Sequence, residues 1–341
     1  MNRRKFRFLS VPILVFLLIH ERSGAQGENV SWPWGPGCES YCIARGEAYF
    51  YGLREVKVRG APPHLYRFDL ATSTVSRMLD NDTERNLLKD GARQLDISSD
   101  GRLLTLSAAA GNLRRGATRI LLVSTGTGDV KVLVWNERNN IFPKFSPDGG
   151  EVAFYHSHPD MERNNWDLFH TKGFALSVVN IATGEMRQLA SEDWRLMRDG
   201  PPSWSPEGKY LAYAGAYGKK SGGEIYIVPA EGGESRRISP EASKSCCRPV
   251  WLNKDVVLYS ASGPEGWGLY AVRSDGTDNR LLYRGAVETT PDISPDGKRI
   301  CFAAASLEKA DLGQVKLIVL DVTGKPLPGP HSDVVLHKWR R

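Results

Sequence analysis

FSPDGGEVAFYH, from Phe145 to His156, is the stretch whose reading decides the fold of this chain. Pro147 presets φ for the start of a turn, and Gly149 tolerates the positive φ that closes it. Beyond the turn, Val152, Phe154 and His156 fall on one face of a strand, with Ala153 and Tyr155 on the other. The stretch therefore predicts strand, tight turn, strand.

The unit recurs. WSPEGKYLAYAG starts at Trp204, ISPDGKRICFAA at Ile293 and ISSDGRLLTLSA at Ile97. WLNKDVVLYSAS, from Trp251, is a worn copy with Asn253 for the proline and Asp255 for the glycine; IARGEAYFYG, from Ile43, is fainter. Each copy is followed by a second strand pair such as IYIVPAEGGESRRI, from Ile225 to Ile238. Six hairpin pairs spaced by about 42 to 59 residues fit the four-strand period of a propeller. The expected fold is all-β, a six-bladed β-propeller of four-stranded antiparallel blades. Blade one is expected at 38–79 and blade two at 93–135, with a short helical turn from Asp80 between them. The others are expected at 140–190, 200–238, 248–283 and 289–339, the third carrying the longest insertion.

PPSWSPEGKYLAY and IFPKFSPDGGEVAF resemble the PD40, or TolB-like, repeat family of six-bladed propellers over nearly the whole chain after residue 37. The resemblance implies the fold and leaves activity open, because many functions share the repeat. The N-terminal α/β domain of TolB has no expected counterpart here, so a role in the TolB system is not carried over. The expected organisation is a signal peptide at 1–25, a lead-in at 26–37 and the propeller at 38–341.

The leader rests on Arg3, Arg4, Lys5 and Arg7, an apolar run from Leu9 to Ile19, and small residues Ser23 and Ala25. Cleavage is expected after Ala25, giving a periplasmic or secreted protein with no stable membrane anchor; the run is short for a span of about 20 residues. The whole chain carries 45 Lys and Arg against 39 Asp and Glu, or +6. Without the leader's five basic residues and one acidic residue, 40 stand against 38, or +2. No concentrated basic footprint supports nucleic-acid binding. Five cysteines, Cys38, Cys42, Cys246, Cys247 and Cys301, leave an odd thiol, with pairing open and Cys301 expected on a buried strand.

Alternation along the innermost strands places Asp96, Lys144, Ser203, Val250 and Asp292 toward the channel, with Gln94, Arg248 and Thr290 a step nearer the rim. Loops entering those strands add Arg138, Asn140 and Arg198, and the blade-three insertion adds Trp166. Arg and Trp supply dominant contacts in protein interfaces and equally suit anionic or carbohydrate ligands. The candidate binding set is therefore Lys144, Asp96, Asp292, Arg248, Arg138, Asn140, Arg198 and Trp166.

His156 and His158 would project to one side of an extended strand, as in a two-histidine metal grip, with Asp160 and His170 near in sequence. Oligogalacturonate lyases are similar in their repeats, and the resemblance implies histidine-bound manganese. Their Gln-x-x-His-x-His arrangement is missing here. No Gly-x-Ser-x-Gly elbow, sialidase-type Asp box or phosphate-binding Gly loop occurs. Beside a purely structural envelope component with no small-molecule site, two readings follow. The first is a non-catalytic monomeric binding module for a protein partner, needing no cofactor. The second is a carbohydrate-active enzyme, such as a metal-assisted lyase, with a divalent metal on His156 and His158.

Overall fold

In the computed structural model the described residues are 43–45, 49–54, 64–69, 71–72, 74–110, 117–157, 172–190, 194–196, 200–217, 223–287, 289–294, 297–305, 314–327 and 335–338. The expected leader and lead-in, the blade-three insertion, Cys38 and Cys42 lie outside them. The chain forms two compact units: of the described residues, those up to 157 and those at 175–188 belong to the first, and 172–174 and those from 189 onward to the second.

The first unit holds three antiparallel sheets. The first is β1 (Ile43–Arg45), β2 (Tyr49–Arg54), β3 (His64–Asp69) and β4 (Val75–Arg77), in sequence order. Helix α1 (Asn81–Leu87), with Asp80 accepting from Thr83 N–H at its N-cap, leads to the second sheet. That sheet is β5 (Ala92–Ile97), β6 (Leu103–Ala109), β7 (Thr118–Ser124) and β8 (Val130–Val134). The third is β9 (Asn140–Phe145), β10 (Glu151–Ser157), β11 (Lys172–Asn180) and β12 (Met186–Gln188).

The second unit repeats the plan. β13 (Trp194–Leu196) and β14 (Ser203–Trp204) both pair with β15 (Tyr210–Tyr217), followed by β16 (Glu224–Pro229) and β17 (Arg236–Arg237). Next come β18 (Lys244–Trp251), β19 (Val256–Gly263), β20 (Gly266–Arg273) and β21 (Arg280–Arg284). In the last sheet β22 (Ala286–Val287) and β23 (Asp292–Ile293) pair with β24 (Arg299–Ala305), then β25 (Gln314–Asp321) and β26 (Val335–Lys338). His337 pairs with Val315, so the C-terminal strand belongs to this sheet.

Burial falls from the second strand of a blade to the fourth. The interior of β6 is buried on both faces, whereas all three residues of β4 are exposed. This is why second strands such as LLTLSAA read as apolar on both faces with small residues between large ones. Leu65, Leu95, Leu104 and Leu121 fill the space between the first two sheets, and Ile120, Phe145, Val152 and Phe154 fill the next. In the second unit Ile225, Trp251 and Tyr259 form one such layer, and Leu258, Leu269, Ile300 and Phe302 another. Each such large side chain contributes about 1.5–3 kcal/mol on burial.

The Ser-Pro-Asp-Gly reading holds, with one addition. Gly149 has φ 74°, and Gly101, Gly208 and Gly297 match it at 71°, 72° and 69°. The preceding serine closes each turn: Ser146 Oγ accepts Glu151 N–H at 2.9 Å, and Ser98 Oγ accepts Leu103 N–H at 2.9 Å. Asp148 Oδ1 accepts Gly150 N–H at 3.0 Å. In the worn copy Asn253 Oδ1 does the same work, taking the N–H groups of Asp255 and Val256.

Strict alternation along the innermost strands does not hold. Gln94, Phe142 and Arg248 have φ of 61°, 57° and 55°, each three residues before the buried or half-buried residue at 97, 145 or 251. The ladders slip there: Lys144 pairs with Ala153 but Ile141 with Tyr155, and similar shifts fall between Arg93 and Asp96 and between Cys247 and Val250. The extra residue is a β-bulge that re-aims the side chains before it.

Candidate functional site

Asp96, Lys144 and Ser203, expected toward a channel, bond from one innermost strand to the next. Asp96 Oδ1 pairs with Lys144 Nζ at 2.7 Å, while its Oδ2 accepts Phe145 N–H at 2.9 Å. At the bulge, Gln94 Oε1 accepts Phe142 N–H at 2.8 Å. In the second unit Ser203 Oγ accepts Trp251 N–H at 3.2 Å, which is the Asp96 bond one repeat type later. These side chains satisfy inner-strand N–H groups that the ladder leaves over.

Arg248 is half-buried and donates from its guanidinium to Val287 C=O at 2.9 Å. Gly200 packs so closely that a Cβ there would stand 3.0 Å from Arg248 N. Asp292 is exposed and accepts Ile293 N–H. Arg198, Trp166 and His158 lie outside the described residues. Cys301 is buried as expected, and burial likewise pushes the Cys246 thiol up to about 12.

Arg138, Asn140 and His156 are brought together where the chain passes from β8 to β9. Asn140 is fully buried, and its Nδ2 donates to Thr118 C=O at 2.6 Å, Asn136 Oδ1 at 2.9 Å and Arg138 C=O at 3.1 Å. The Thr118 hydroxyl accepts Asn140 N–H at 2.7 Å and donates back to Asn140 C=O. Ser157 Oγ takes Asn139 N–H at 3.0 Å, and Thr118 N–H donates to Arg138 C=O at 2.9 Å. The turn bends at Glu137, whose φ is 59°. A connection this densely bonded is held in one shape.

Arg138 aims one guanidinium nitrogen at His156 Nδ1, 3.0 Å away. A guanidinium can only donate, so Nδ1 is the acceptor and Nε2 carries the proton it donates to Ser177 Oγ at 2.9 Å. His156 is 1% exposed. Both its ring nitrogens face protein partners, and His158, the other half of the expected two-histidine grip, lies outside the described residues. No group of three or more His, Cys, Asp or Glu among those residues could hold a metal ion.

Two residues of this surface carried no signal in the repeat pattern. Trp135, which closes β8, is 42% exposed. Arg119, next to the Thr118 that anchors the turn, lays its guanidinium over the Trp135 ring, 5.2 Å from the centroid. No helix among the described residues is long and apolar enough to cross a membrane.

No family model matches the chain. It is 26% identical over 127 residues to a Bacillus subtilis protein described as an uncharacterized peptidase, covering 36% of this chain and 17% of that one. A tricorn protease homolog of Streptomyces coelicolor is 29% identical over 154 residues, covering 43% and 12%. A TolB homolog of Chlorobium chlorochromatii is 28% identical over 105 residues, covering 30% and 23%. The matches thus span less than a quarter of each relative's length. Among solved structures, TolB of Acinetobacter baumannii superposes with a TM-score of 0.57 at 15% identity, covering 92% of this chain and 68% of that one. An oligogalacturonate lyase in complex with manganese gives 0.59 at 16%, covering 79% and 70%. At such identities the likeness is one of fold: the chain is a TolB-like propeller of four-stranded antiparallel blades.

Proposed function

We propose that this chain is an exported binding module without catalysis of its own, engaging a protein partner as a monomer through the loop-rich end of its blades. The observation that carries the reading is the turn at 135–139, fixed by buried Asn140 and Thr118 while Trp135 stands 42% exposed beside Arg119 and Arg138. A rigid mount for an aromatic and two arginines suits interface hot spots, because little ordering entropy remains to be lost on binding. The hairpin turns gather at the other end of each blade: Ile181 N–H bonds to Gly150 C=O, and Thr125 N–H to Arg102 C=O. The sheet-to-sheet connections are then left for recognition. The same reading gives the leader at 1–25 its purpose, export with cleavage after Ala25.

The test is cross-linking in the native envelope followed by capture of the wild-type and Trp135→Ala proteins. The wild type should retain a discrete partner that Trp135→Ala loses at least tenfold, with the variant still folded. Equal capture by both would overturn the reading, as would metal-dependent cleavage of a uronate polymer by the purified protein.

A further inference from the structure

Among the described residues, most arginine side chains that make charged contacts are neutralised within the chain. Arg187 pairs with Glu151, Arg237 with Glu224, Arg280 with Asp278, and Arg77 with Glu84. Arg119 on β7 and Arg138 in the turn between β8 and β9 differ. Arg119 rests on the indole of Trp135, and Arg138 on the imidazole of His156. Neither meets a carboxylate among the described residues, although Glu137 sits exposed beside Arg138 in the same turn. Both guanidiniums are thus oriented by neutral rings, which fix position without cancelling charge.

Resting on the binding-module reading above, we infer that this surface takes an acidic, extended segment of the partner protein, with carboxylates on Arg119 and Arg138 and an apolar contact on Trp135. An arginine held in place loses less rotamer freedom when it captures a carboxylate, and the planar fork suits that group in particular. Two guanidiniums on different supports, one on β7 and one in the turn, suit charges spread along a chain better than one compact phosphate. Arg119 covers one face of the Trp135 ring, which reduces the flat surface on which a sugar would stack. Glu137 carries the wrong sign for this ligand, so it acts against binding and its removal should strengthen it.

The test uses the purified protein and a fluorescein-labelled hexaglutamate peptide read by polarisation, with hexaglutamine, hexagalacturonate and inorganic phosphate as competitors. Hexaglutamate should bind, weaken as salt rises, and lose about tenfold or more in Arg119→Gln/Arg138→Gln. Glu137→Gln should tighten it by about two- to threefold, a gain that damage to the fold cannot produce. Unchanged binding in the double variant, equal competition by hexaglutamine, or stronger competition by hexagalacturonate or phosphate would each overturn the inference. Partner capture that depends on Trp135 but ignores both arginines would sink it alone. Capture indifferent to all three would take the binding-module reading with it.

Discussion

Strand β9 has a turn at 135–139 on one side and a turn at 146–150 on the other, and the two are held by different means. At 146–150 the side-chain bonds are local: Ser146 and Asp148 satisfy backbone groups within five residues of themselves, and Gly149 supplies the positive φ. At 135–139 short-range bonds from Asn140 are joined by others that run to Thr118, His156 and Ser157, residues 17 or more positions away. The connection from β4 to β5 follows the second plan: fully buried Glu84 of α1 accepts Leu65 N–H at 3.1 Å and pairs with His64 Nδ1 at 2.6 Å and with Arg77. Hairpin turns are therefore interchangeable between blades, whereas each connection is particular to its place. Particular, rigid connections are where a partner can be told apart from others.

The largest expected effect is at Glu84. Glu84→Ala leaves Leu65 N–H and the Arg77 guanidinium without their buried partner, and should cost about 3–5 kcal/mol in urea unfolding. A loss below about 1 kcal/mol would mean that the connection is not fastened through this carboxylate. Asn140→Ala comes next, at about 2–3 kcal/mol, because three acceptors lose their donor. It should also free the 135–139 backbone, read as faster amide hydrogen exchange confined to that turn. Exchange that speeds equally at 146–150 would erase the contrast between the two turns.

How much of this was legible follows from the same contrast. The hairpin turns could be read because Pro147, Asp148 and Gly149 act on their own neighbours, and the recurrence of that turn from 97, 204 and 293, with Ser99 for the proline and Glu207 for the aspartate, gave the blade period. The serine at 98, 146, 205 and 294 recurs just as plainly, and its hydroxyl was the missed part of the turn. The bulges at Gln94, Phe142 and Arg248 were hidden, since a positive φ at a non-glycine residue leaves no compositional mark. Asp96 and Lys144 were named as separate channel residues, yet they stand 48 positions apart, one repeat, and opposite charges at one repeat position were a readable sign of contact. Arg138 and Asn140 were named from the loop position alone. Trp135 and Arg119 were not, because what joins them is pairing across β7 and β8 at the end of a blade.

A smaller effect tests the local plan. Gly149→Ala places a Cβ in nearly open space, with Ser98 Cβ 3.9 Å away, so only the left-handed φ of 74° opposes it. The expected loss is about 1–2 kcal/mol, with amide exchange at 135–139 unchanged. A larger loss, or exchange that spreads across β9, would show that the two turns are coupled.

The smallest effect is the charge of the hairpin turn. The Ser146 hydroxyl and Gly150 N–H hold the Asp148 carboxyl below its usual range, as Ser98 does for Asp100. A folded-state value below the unfolded one, about 3.9, means that the ionised carboxylate adds stability above that pH and loses it as pH falls through the lower folded value. Asp148 is exposed, so solvent screening keeps the contribution small. Asp148→Asn should therefore trail the wild type slightly in urea midpoint at pH 7, and the gap should close as pH falls through the lowered folded-state value. A gap that persists in acid would assign the turn's stability to bond geometry that asparagine fails to copy. Yet Asn253 already performs this work in the worn copy without charge, which is why the closing gap is the expected outcome.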